Sequence, residues 1–115
     1  MINYETFKQI ELKVGRVISA ERVEGSDKLI KMQVKLGDDS RQIIAGIGKK
    51  YQPEIMVDKN IVIVTNLESK KFKIKNGEEE TILESQGMLL AASGVDGNLS
   101  LLTTMEEIES GSEIG

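Results

Sequence analysis

Lysines surround a single aromatic residue in the stretch SKKFKIK, residues 69–75. Cationic side chains interleaved with an aromatic ring are typical of surfaces that bind nucleic acid, because lysines meet phosphates and the ring can stack on a base. Three glutamates follow closely, at 78–80. The segment is therefore either a binding strip or one arm of a hairpin whose charges pair with each other.

The dipeptide Asn-Gly at 76–77 predicts a two-residue hairpin loop, since both residue types tolerate the positive φ of a type I′ turn. With that loop, Lys75 faces Glu78 and Lys73 faces Glu80. Opposite charges directly across a strand pair contribute about 0.2–1 kcal/mol each. This register predicts that these two lysines are held in ion pairs. The lysines left without an acidic partner, and therefore available to a ligand, are Lys70 and Lys71.

Charge is distributed unevenly along the chain, whose net charge is −4. Residues 1–75 contain all fifteen basic side chains and ten acidic ones, whereas residues 76–115 contain nine acidic side chains and no basic one. One domain can present opposite potentials on different faces, and a polyanion responds to the local field. The acidic balance weakens a nucleic-acid interpretation without excluding it.

The residues that most enzymes use are missing. The chain has no Cys and no His, which removes disulfides, thiolate chemistry, the usual zinc ligands and the commonest general base. Neither a G-x-x-x-x-G-K-[ST] nor a G-x-G-x-x-G phosphate loop is present. We expect no catalytic residues, no cofactor and no metal. No apolar run is long enough for a membrane span, so a cytoplasmic protein without membrane contact is expected.

The hydrophobic pattern predicts an all-β fold in one domain, residues 1–115. The clearest alternation is in KLIKMQVKLG, where every second residue from Ile30 to Leu36 is apolar. Gly15 predicts a bulge or bend in a long first strand. Short helices are expected after Asn3 and at Pro53, and a capping box at Thr104 predicts a helical turn near 105–109.

Five motifs carry a resemblance to one family. They are IELKVGRV (10–17), SDKL (26–29), AGI (45–47), VTNL (64–67) and ESQGMLLAAS (84–93). Together, and in this order, they resemble the tRNA-binding domain of methionyl-tRNA synthetases, where it is a C-terminal part or beta subunit. The same domain is found in free-standing structure-specific tRNA-binding proteins and in endothelial monocyte-activating polypeptide. The resemblance implies a five-stranded Greek-key OB-fold barrel with a C-terminal extension, which binds tRNA without catalysis.

The resemblance also implies positions for the RNA-binding surface. Lysines meet phosphates, as Arg16 could, while polar side chains bond sugars or base edges and a methionine packs on a base. The implied RNA-binding residues are Arg16, Lys28, Asn66, Lys70, Lys71, Ser85, Gln86 and Met88. Two departures add negative charge nearby: Glu68 and Ser69 replace the family's Lys-Pro, and NGEEETIL (76–83) replaces a short loop.

Three functions are compatible with these patterns. The first is tRNA binding, as a beta subunit or appended domain acting with a methionyl-tRNA synthetase catalytic subunit, or as a free homodimer. The second is that of the export-associated chaperones, which share the dimeric OB-fold and bind unfolded polypeptide but lack the DKL and SQGM motifs. The third is a structural module for synthetase assembly. The DKL and SQGM motifs favour tRNA.

Overall fold

Strands dominate the structure, a computed structural model that describes residues 1–115. The long strands are β1 (Leu12–Arg22), β2 (Ile30–Leu36), β3 (Asp39–Ala45), β4 (Asn60–Val64), β5 (Lys70–Asn76) and β6 (Glu79–Ser85). The short strands are β7 (Met88–Leu89), β8 (Ala91–Ser93), β9 (Leu99–Leu101) and β10 (Glu113–Ile114). The two helices, α1 (Tyr4–Phe7) and α2 (Pro53–Met56), are each one turn long. The predicted all-β class with short helices is confirmed.

The main sheet has the strand order β3-β2-β1-β4-β7, and every pairing in it is antiparallel. The sheet curls until its two ends meet: the backbone N–H of Gln86, just before β7, donates to the carbonyl of Gln42 in β3 at 2.8 Å. Strands β1, β2, β3, β4 and β7 therefore form the predicted five-stranded OB-type barrel. The hairpin β5–β6 is inserted between its fourth and fifth strands.

The barrel core follows from the alternation in β2. Ile30, Met32, Val34 and Leu36 are all buried, as predicted, and the first three pack with residues of β1, β3 and β4 in the main hydrophobic cluster. The irregularity in β1 lies between Val17 and Ser19, not at Gly15 as the sequence suggested. Gly15 instead allows close packing, because a Cβ there would lie 2.5 Å from the Val34 Cγ1.

The hairpin has a different register from the one predicted. Its loop is Gly77-Glu78, with a φ of 68° at Gly77, so Lys75 lies opposite Glu80 and Lys73 lies opposite Ile82. The new register places Phe72 directly opposite Leu83, and both pack against the second hydrophobic cluster. Burying two apolar side chains together is worth more than a surface ion pair, which explains the shift.

The same register changes which lysines have acidic neighbours. Lys71, predicted to lack a partner, lies opposite Glu84, although the pair is not among the ion pairs within 4 Å. The predicted Lys73–Glu80 pair does form, at 3.7 Å, but diagonally rather than directly across the strands. Lys75 makes no ion pair, contrary to the prediction.

The C-terminal extension runs along the barrel without a helix at 105–109, so the capping-box prediction is wrong. The two residues of the expected capping box instead contact other parts of the chain. Thr104 Oγ1 accepts a hydrogen bond from Asn60 at 3.1 Å, and Glu107 forms an ion pair with Arg16. Tertiary partners therefore compete successfully with a local helical turn. Neither helix of the fold has the length and apolar character needed to cross a bilayer.

Candidate nucleic-acid interface

Four lysines from two separate parts of the chain line one groove of about 490 Å³. The groove lies between the β1–β2 loop and strand β5. Its lysines are Lys28, Lys70, Lys73 and Lys75. None of the ten residues that line it is acidic. A groove whose charged lining residues are all lysines attracts a polyanion despite the negative net charge of the chain, although Lys73 also pairs with Glu80 at 3.7 Å.

An apolar pocket of about 600 Å³ adjoins the groove. Lys70, Phe72 and Gly46 line both, so the two form a continuous surface. Leu67 and Met88 also line the pocket, and each is 48% exposed. Exposed apolar side chains beside cationic ones suit a nucleic-acid strand, whose bases are flat and apolar and whose backbone is anionic.

Packing beneath the hairpin brings these parts together. Ile74 of β5 is buried in one cluster with Val23 and Leu29 of the β1–β2 loop and Ile44 of β3. Gly25 permits the close contact, since a Cβ there would lie 3.1 Å from both Ile74 and the Lys75 carbonyl, and its φ is 90°. The apolar face of β5 therefore holds its lysines beside Lys28.

Lys70 and Lys71 are neighbours in sequence but lie on opposite faces of β5. The Lys70 ammonium is 4.7 Å from the centroid of the Phe72 ring, which is within cation–π range. Alternation along β5 places Lys71, together with Lys73 and Lys75, on the face opposite Phe72. Lys73 and Lys75 still line the groove, whereas Lys71 lines neither the groove nor the pocket. The structure brings Lys70 to the groove and leaves Lys71 outside it.

Ser85 and Gln86 close the barrel. The buried Ser85 Oγ accepts from the Ile44 N–H and donates to the Gly87 carbonyl, each at 2.9 Å. The Gln86 side-chain oxygen accepts from the Gln42 N–H at 3.0 Å. These polar groups therefore hold β6 and β7 against β3, and thereby position Met88 at the pocket.

Asn66 joins the N-terminal segment to the end of β4. Its side-chain oxygen accepts from the Glu11 N–H at 2.9 Å, and its nitrogen donates to the Gln9 carbonyl at 2.6 Å. Both ends of the amide are thus used within the chain. Asn66 orients the loop that begins with Leu67, a wall of the apolar pocket.

Arg16 lies away from the groove. Its Nε donates to Asn60 Oδ1 at 3.0 Å, its guanidinium pairs with Glu107, and it lines a separate surface depression with Lys35 and Glu109. Of the eight residues predicted from the sequence, four line the groove or its adjoining pocket: Lys28, Lys70, Ser85 and Met88.

The sequence prediction omitted four contributors. Phe72, Lys73 and Lys75 all line the groove, although the two lysines were assigned to ion pairs. The aromatic residue between lysines was the available signal for Phe72. Leu67 was missed because a single leucine after a strand is usually core.

The acidic side chains with shifted pKa values lie outside the groove. The Thr65 hydroxyl donates to the Glu11 carboxylate at 2.7 Å and, helped by the charge of Lys13, lowers the pKa of Glu11. The Ser40 N–H, followed by the Arg41 side chain, lowers the pKa of Asp39. Neither residue lines the groove or the apolar pocket, so both carboxylates brace the fold.

Comparison with known proteins assigns the fold to a family. Residues 12–113 match the family model of the tRNA binding domain. The chain belongs to this family. Its matched span includes all five barrel strands, the groove and the pocket.

Curated members of the family that resemble this chain are methionine–tRNA ligases. The ligase of Caldanaerobacter subterraneus is 49% identical over 98% of this chain, and that of Deinococcus radiodurans is 40% identical over 99%. In both cases the match covers 16% of the ligase. The chain thus corresponds to a small part of these relatives.

Solved structures show the same fold. A methionyl-tRNA-synthetase-related protein of Pyrococcus horikoshii superposes with a TM-score of 0.87 at 35% identity, covering 100% of this chain and 98% of that one. The chaperone CsaA of Bacillus anthracis superposes with a TM-score of 0.81 at 27% identity, covering 100% and 99%. The structural relatives therefore include both a synthetase-related protein and a chaperone.

Proposed function

We propose that the chain is a non-catalytic tRNA-binding domain. The observation that carries the proposal is the groove lined by Lys28, Lys70, Lys73 and Lys75 and by no acidic residue, in a member of the tRNA binding domain family. OB-folds bind oligonucleotides with a barrel face and with the loops that follow strands one and four. The groove lies between those two loops, because the β5–β6 hairpin belongs to the connection after the fourth barrel strand.

The chemistry of the groove suits the backbone of a folded RNA. Lysine ammonium groups neutralise phosphates regardless of sequence, and they determine register and orientation rather than base identity. The deep groove of an RNA helix excludes side chains, whereas its phosphates and sugar hydroxyls are accessible. Recognition of tRNA by this surface therefore reads its shape.

We propose three settings for this activity. The domain acts as a beta subunit or appended part of a methionyl-tRNA synthetase, in the cytoplasm, or as a free homodimer. In each setting it raises the local concentration of tRNA for its partner or second copy. Joining two weak sites strengthens binding by about 10²–10⁴-fold without new contacts.

The test is the salt dependence of tRNA binding, measured by fluorescence anisotropy with labelled bulk tRNA. Each phosphate neutralised contributes about −0.7 to −0.9 to the slope of log affinity against log salt, so contacts from four lysines give a slope of about −3. A slope near zero would contradict binding that depends mainly on contacts between lysines and phosphates. The solution mass of the chain, with and without tRNA, distinguishes a monomer from a homodimer.

Chaperone activity is the second candidate, because CsaA shares the whole fold and the apolar pocket exposes Leu67 and Met88. The two functions separate in one paired experiment: a tRNA gel shift beside suppression of aggregation of a denatured client. Suppression of aggregation without any tRNA shift would assign the surface to polypeptide.

A further inference from the structure

The apolar pocket beside the lysine groove has a composition that phosphate binding alone does not explain. Its walls include Leu67, Phe72, Met88, Leu89 and Leu99, and its volume of about 600 Å³ lies in the range of pockets that bind small ligands. Phosphates and sugars gain nothing from such walls. A flat apolar group gains by leaving water there.

Charge at the mouth of the pocket is polarised. Glu68 and Lys70 both line it, and the Lys70 side also opens into the lysine groove. An anionic group is therefore attracted toward Lys70 and repelled from Glu68. A ligand with an apolar base at one end and a phosphate at the other has one favourable orientation, with its phosphate in the groove.

The residues that line both cavities determine how far apart the base and the phosphate of a bound ligand can lie. Phe72 lines both cavities, and the flexible Lys70 ammonium lies 4.7 Å from the centre of its ring. A base lying against the exposed part of this ring would have its own phosphate within reach of Lys70. Lys28, across the groove, then meets the next phosphate of the same strand.

We propose that this pocket binds one unpaired nucleobase of the RNA, held against Phe72 and Met88 while Lys70 and Lys28 hold the adjoining phosphates. The inference rests on the proposed function and adds a subsite to it. A base inside a duplex is stacked and cannot enter a concave pocket, whereas an unpaired base in a loop or at an end can. The domain therefore prefers RNA with an unpaired segment over a plain duplex.

The experiment compares two fluorescein-labelled RNAs of equal length, a single strand and a blunt duplex, by anisotropy at one salt concentration. Phe72→Leu keeps an apolar side chain but removes the ring face. We expect it to weaken single-strand binding by about 5- to 100-fold, as the loss of base stacking does elsewhere, and to weaken duplex binding much less. Met88→Ala, at an exposed position, should give a smaller loss in the same direction.

Ile82→Ala is the matched control. Ile82 is 57% exposed on the same hairpin but lines neither cavity, so its removal should leave both affinities unchanged. Circular dichroism of each variant checks folding. If Phe72→Leu does not fold, Met88→Ala decides the outcome.

The proposed subsite would be overturned if the wild-type chain bound single strand and duplex with equal affinity. It would also be overturned if both variants bound the single strand as tightly as the wild type. If tRNA binding then keeps its steep salt dependence, the proposed function stands without the pocket. If the wild-type chain binds no RNA at all, the proposed function itself fails. The pocket would be assigned to polypeptide if the wild-type chain bound an extended apolar peptide but no single-stranded RNA, and if both variants lost the peptide. That result would overturn the proposal.

Discussion

Lys28 and Lys70, from the β1–β2 loop and from β5, line the same groove. Their sequence separation is large, and their proximity depends on the buried cluster of Val23, Leu29 and Ile74 beneath them. Packing of apolar residues is therefore what creates the cationic surface. The surface exists only in the folded chain.

Replacement of Lys28 and Lys70 by alanine together should reduce tRNA affinity and make its salt dependence shallower. Each lost phosphate contact removes about 0.7–0.9 from the slope. Titrations of labelled tRNA at several salt concentrations measure both quantities. Lys71→Ala is the control for Lys70→Ala alone, since each removes one positive charge from the same strand and Lys71 lines neither the groove nor the pocket. A larger loss with Lys71→Ala than with Lys70→Ala would contradict the assignment of the groove.

Arg16→Ala should change stability more than tRNA binding. The guanidinium connects β1 to Asn60 and to Glu107 of the C-terminal segment, so its loss should lower the free energy of unfolding by about 0.5–1.5 kcal/mol. Urea unfolding measures this change. The affinity for tRNA should change by less than about twofold, because Arg16 lines neither the groove nor the pocket and its guanidinium is already paired with Glu107. A loss of affinity with unchanged stability would place Arg16 in the interface.

Ser85→Ala should destabilise the fold by about 1–3 kcal/mol, because it leaves the buried Ile44 N–H without its acceptor. Urea unfolding at neutral pH provides the measurement. Ser100→Ala, at an exposed position in β9, is the control and should change stability by less than about 0.5 kcal/mol. If the Ser85 variant has wild-type stability but binds tRNA weakly, the hydroxyl contacts RNA instead.

The barrel could be predicted from the sequence because its signals are local or repeated. The alternation from Ile30 to Leu36 determines which face of β2 is buried, and the family resemblance carried by the five motifs implies the five-stranded barrel. The hairpin was also predicted, since Gly77 permits the positive φ that its loop requires. These features depend on neighbouring residues, which a sequence displays directly.

The details of the site could not be predicted, because they depend on tertiary packing. Gly77 is compatible with two adjacent hairpin loops, at residues 76–77 and 77–78. The sequence predicts the first, and the contact of Phe72 with Leu83 selects the second. That contact moves Lys75 away from Glu78. In the same way, Arg16 removes Glu107 from the expected capping box. Long-range partners of this kind leave no local pattern in the sequence.

Acidification should destabilise the chain partly through Glu11. Its pKa is lowered from 4.5 by the Thr65 hydroxyl and Lys13, so the folded state favours the carboxylate. The resulting stabilisation is complete above the ordinary pKa and is lost as the pH falls through the lower folded pKa. Glu11→Gln should therefore be less stable than the wild type at pH 7, and the difference should narrow as the pH falls from 7 through the lowered folded pKa of Glu11. Urea midpoints across this range measure it, with Glu78→Gln at the hairpin tip as the control. A constant difference at every pH would show that the carboxylate charge has no part in the Thr65 contact.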